Sequence, residues 1–66
     1  MNKPELAASY QSQLERVGVP TNQAKSAADV LASQTEGELP VPLAEGSEEL
    51  HIVRSAYSWM VAKQNS

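Results

Sequence analysis

Glycine and proline cut this chain into three pieces, and that punctuation constrains its fold more than any other feature. Gly18, Val19 and Pro20 form one break, and the stretch 36–47, with Gly37, Pro40, Pro42 and Gly46, forms the other. Proline lacks an amide donor and pushes the residue before it into extended backbone, so no helix runs through either break. Each remaining piece carries apolar residues at helical spacing. The expected fold class is therefore all-α: a compact three-helix bundle with helices over about 4–17, 22–34 and 48–63 and an extended Pro/Gly loop at 36–47, in one domain covering 1–66.

In the first piece Leu6, Tyr10, Leu14 and Val17 form a single stripe, with Pro4 suited to the first turn and Gly18 to the stop. In the second, Thr21 offers a hydroxyl as N-cap. Ala24, Ala27, Ala28 and Leu31 recur on one face, flanked by Val30 and Ala32, and Gly37 ends the pattern. Alanine lets helix axes approach closely but contributes little burial per residue. In the third, Ser47 is placed to cap, Glu48 and Glu49 complement the helix dipole, and Lys63 does so at the other end.

Leu50, Ile52, Val53, Ala56, Tyr57, Trp59, Met60 and Val61 cover an arc of roughly 200° on that third helix, about twice what one buried face requires. Two readings follow. The helix is the centre of the core, with Leu39, Val41 and Leu43 of the loop covering the remainder, or part of the arc is an interface. The interface reading names Ile52, Ala56, Tyr57, Trp59 and Met60, because aromatic and methionine side chains are enriched at interface centres.

A chain of 66 residues has little core, and such folds commonly add a disulfide, a metal or a second subunit. The absence of cysteine removes disulfides, thiolate metal sites and thiol catalysis, so the remaining expectation is a homodimer. A net charge of −3 with dispersed cations argues against a phosphate-binding surface, and no apolar run is long enough to cross a membrane. The amino terminus leads into polar sequence, and a cytoplasmic location is expected. The acidic residues Glu36, Glu38, Glu45, Glu48 and Glu49 fall in a region without a cation between Lys25 and Arg54, a candidate surface for a basic partner.

His51 is the only histidine; Glu48 stands three residues before it, a ligand spacing used in helical metal sites, but the further carboxylates such sites need have no evident source, and a solvated histidine is the simpler reading. Ser55 and Ser58 lack the orienting group that a triad requires, and no glycine precedes a Lys-Ser or Lys-Thr pair. No catalytic residue, metal ligand or cofactor is expected, and the chain is read as a non-enzyme. Residues 13–27, with Gly18 and Val19 at the turn and Asn22, Gln23, Lys25 and Ser26 opening the second helix, loosely resemble a helix-turn-helix. That resemblance implies a DNA-binding regulator using the helix at 22–34, against the plain reading of a helical hairpin. The leading expectation is a small protein-binding or regulatory protein acting through a helical surface.

Overall fold

The computed structural model describes residues 2–64. Among these residues, three helices follow one another with no strand: α1 (Lys3–Arg16), α2 (Thr21–Thr35) and α3 (Glu48–Gln64). The all-α three-helix architecture expected from the sequence is present, with each helix end within a residue of its expected position.

Local chemistry sets those ends. Asn2 precedes α1 in extended backbone, and its Oδ1 accepts from the Glu5 amide at 3.0 Å, satisfying a donor that the first turn would otherwise leave free. At the far end Gly18 adopts φ +104°. Its amide donates to the Glu15 carbonyl at 3.1 Å and the Val19 amide to Leu14 at 3.0 Å, the paired bonds of a Schellman stop. This stop displaces Val17 from the apolar stripe and leaves it 41% exposed, while Val19, 3% exposed, enters the core beside Leu14. The same motif closes α2, where Gly37 donates to Gln34 at 3.1 Å and Glu38 to Ser33 at 2.8 Å.

Thr21 does not cap α2. It is the first helical residue, and Pro20 occupies the capping position with no side-chain hydrogen bond. The Pro20 carbonyl closes the first turn directly, accepting from the Ala24 amide at 2.8 Å. Ser47 caps α3 as expected, its Oγ accepting from the Leu50 amide at 3.2 Å and its carbonyl from His51 at 3.2 Å.

The central element is α2, not α3. Ala24, Ala27, Ala28, Val30, Ala32 and Ser33 are buried, whereas α1 has no buried residue and α3 has only Ala56. The reason is size: alanine on two faces lets α1 and α3 both approach α2, and the longer side chains of the flanking helices reach over it. Leu14, Ile52 and Met60 cover the cluster of Val19, Ala24, Ala27 and Ala56 in this way. The helices form a flattened body of 35 × 28 × 16 Å, and among the described residues no large side chain is fully enclosed.

Polar bonds fix the remaining edges. Thr35 Oγ1 donates to the Leu31 carbonyl at 3.0 Å, so the Tyr10 hydroxyl donates to Thr35 Oγ1 at 3.1 Å and ties α1 to the end of α2. In the loop, Gln34 Nε2 donates to the Pro40 carbonyl at 2.9 Å, and Arg54 lies 3.8 Å from Glu45. Leu39 and Leu43 are partly covered, whereas Val41 is 77% exposed. The loop thus supplies two of the three anchors read from its sequence.

Candidate functional site

The apolar arc of α3 divides into three parts. Ala56 faces α2 and is 2% exposed, with Ile52 and Met60 packed against the same cluster, so these three residues of the expected interface set serve the intramolecular core. Trp59 and Tyr57 remain outside, 40% and 62% exposed. By helical spacing they lie roughly 160° apart on either flank of the core-facing stripe, so they do not form one patch.

On the Trp59 flank, Ser58, Trp59 and Ala62 line a shallow and almost wholly apolar groove of about 280 Å³. One turn and more toward the start of α3, Gln23 and Ser26 of α2 meet His51, Ile52 and Ser55 around a smaller groove of about 150 Å³. The Gln23 Oε1 atom is buried there without a hydrogen-bond partner. His51 is exposed, and among the described residues no group of three or more His, Asp or Glu side chains is placed to hold a metal ion.

The acidic set is spread around the loop and the start of α3. Glu36, Glu38, Glu45 and Glu48 are exposed and Glu49 is partly covered. Two of them have partners within the chain, Glu38 with Lys3 at 2.7 Å and Glu45 with Arg54 at 3.8 Å. A third groove, of about 300 Å³, brings Glu38 and Glu49 together with Asp29, Val30, Ser33 and Leu39. Sequence reading missed Asp29 and Ser33 because they belong to α2, although their spacing of four places them on one face of that helix.

The residues of the helix-turn-helix resemblance are divided by the central position of α2. Asn22, Lys25 and Ser26 are exposed, whereas Gln23 is turned partly into the seam with α3. Lys25 is the single cation on the helix.

The fold and these surfaces define a class: a small helical protein with an alanine-rich central helix and uncovered aromatic side chains on a flanking one. Set beside known proteins, the chain matches no family model, no curated protein and no solved structure.

Proposed function

We propose that this is a non-catalytic protein-binding or regulatory protein of the cytoplasm, acting through the outer flank of α3 as a homodimer. The observation that carries the reading is Trp59, a large aromatic side chain left 40% exposed beside an apolar groove in a chain whose buried core is mostly alanine. Exposed tryptophan at an apolar surface is the type of residue that dominates association energies. A two-fold arrangement would set Trp59 of one protomer against the Ser58 and Ala62 groove of the other, each patch serving as both donor and acceptor of the contact. It would also supply the burial that the thin core lacks.

The test is sedimentation equilibrium at micromolar concentration, where the wild type should show about twice the monomer mass of 7.1 kDa. Trp59→Ala should keep its helical circular dichroism and sediment as a monomer. A wild type that stays monomeric throughout that range overturns the dimer. Unfolding of Trp59→Ala at all concentrations would return Trp59 to the intramolecular core.

A further inference from the structure

The seam between α2 and α3 holds a polar group that the fold leaves unsatisfied. Gln23 enters it from the first turn of α2, and its Oε1 atom is buried without a hydrogen-bond partner among the described residues. A buried carbonyl oxygen ordinarily has a donor, so folding has taken this one from water without replacing the bond. The groove of about 150 Å³ around Gln23 is completed by Ser26 of α2 and by His51, Ile52 and Ser55 of α3. Ser26 and His51 are exposed at its rim, and Ile52 and Ser55 are partly covered. The groove therefore opens to solvent beside the unsatisfied oxygen.

The lining sets the chemistry of an occupant. Ser26 Oγ donates to the Asn22 carbonyl at 3.1 Å, so its hydroxyl proton is committed and what it still offers is its lone pairs. Two acceptors, Gln23 Oε1 and Ser26 Oγ, call for a group with two N–H donors. Ser55 brings a hydroxyl that can donate to a carbonyl oxygen. No carboxylate, lysine or arginine lines the groove, so a charged head would lose hydration without gaining a counter-ion. A neutral carboxamide carries the two donors and the acceptor together. It also suits the Gln23 amide in either orientation, since turning that amide about its last bond only exchanges acceptor for donor. The volume lies below that of small-molecule pockets and takes the end of one side chain.

We infer that this groove binds the side-chain carboxamide of a glutamine or asparagine presented by a partner protein. The NH2 group of that side chain donates to Gln23 Oε1 and Ser26 Oγ, its oxygen accepts from Ser55, and its methylene carbons lie on Ile52. Gln23 turns slightly out of the seam to meet it, a movement that breaks no hydrogen bond of Oε1. The inference rests on the protein-binding reading and names the partner's chemistry, and it uses neither Trp59 nor self-association.

The probe is acetyl-glutamine-methylamide, titrated into the ¹⁵N-labelled full chain and followed through backbone and side-chain amide resonances. Saturable shifts in the millimolar range should centre on Gln23, Ser26, Ile52 and Ser55 and include the side-chain NH2 of Gln23. Acetyl-methionine-methylamide, of similar length but without the amide, should bind roughly two- to tenfold more weakly, the range of one net hydrogen bond. Gln23→Met removes the unsatisfied oxygen and keeps a long unbranched side chain suited to helix, so it should retain helical circular dichroism and bind the two probes equally. Retained preference for the glutamine probe in that variant, equal binding of both probes to the wild type, or shifts centred elsewhere would each overturn the groove. So would the absence of any saturable shift, the result expected if water alone fills it. The wild-type comparison decides the matter whether or not the variant folds. Free glutamine binding as tightly as the blocked residue would mark a small-molecule site and overturn the partner protein. Sedimentation of the wild type and of Trp59→Ala is untouched by any of these results, so the two failures are distinguishable.

Discussion

Gly18 and Gly37 hold equivalent positions after α1 and α2, each with positive φ, yet their surroundings differ. At Gly37, φ +81°, an added methyl would meet open space. At Gly18, φ +104°, it would run into the aliphatic stem of Lys63 near the end of α3. Left-handed backbone costs a residue with a Cβ roughly 1–2 kcal/mol, so Gly37→Ala should lower stability by about that amount. Gly18→Ala should cost more, about 2–4 kcal/mol, because the stem must also move or the turn must open. Urea denaturation of the two variants checks this, and equal midpoints would show that Lys63 yields without cost. The glycine was legible in the sequence as a helix stop, but its close approach to α3 was not, because that contact joins residues 45 positions apart.

At the scale of the element, helix starts in this chain differ in what satisfies their free amides. The side-chain oxygens of Asn2 and Ser47 accept from first-turn amides of α1 and α3, whereas α2 begins on a proline with no side-chain cap. Removing a cap of this kind typically costs ~1 kcal/mol. Asn2→Ala and Ser47→Ala should therefore each lower the unfolding free energy by about 1 kcal/mol, while Thr21→Ala should change it by less than about 0.5 kcal/mol, as expected for an exposed site without a capping bond. Thermal melts followed at 222 nm distinguish these outcomes, and a loss at Thr21 equal to that at Ser47 would restore Thr21 as a cap. The sequence pattern marked Ser47 correctly and Thr21 incorrectly for one reason. A hydroxyl before a helical run is read as a cap, but whether the helix starts there or on the proline ahead of it depends on backbone angles that residue type does not encode.

For the whole molecule, the flattened shape leaves much of the apolar side-chain surface half covered, and stability depends on many partial contacts. The loop contributes through Leu39 and Leu43, both partly buried, in contrast to the outward Val41. Replacing Leu39 and Leu43 together with serine should cost on the order of 1–3 kcal/mol, since each is only partly withdrawn from water. The same exchange at Val41 should cost less than about 0.5 kcal/mol. Denaturant midpoints compare the two, and an unchanged midpoint for the leucine pair would show that the loop adds nothing to the fold. Surface ion pairs add little at this scale. The Lys3–Glu38 pair has side chains 40% and 55% exposed, and such pairs commonly contribute between 0 and about 1 kcal/mol.

What the sequence determined by itself is local: three helices, their approximate ends, the loop between the second and third, and the stops at Gly18 and Gly37. Each follows from chemistry within a few residues, such as a proline without an amide, a glycine able to take positive φ, or apolar spacing near 3.6. Tertiary structure alone decided which helix is central and which way α3 turns. Its arc was wide enough to present several faces inward, and the face chosen is centred on Ala56, the small residue that lets α3 close on the alanines of α2. That choice drew Ile52 and Met60 inward and sent Trp59 and Tyr57 to opposite flanks. It also set Glu49 of α3 beside Asp29, Ser33 and Glu38, which α2 and its stop already hold together. Periodicity ranks positions within one helix by their mutual angle. Only close packing against a second helix fixes where that set of angles begins.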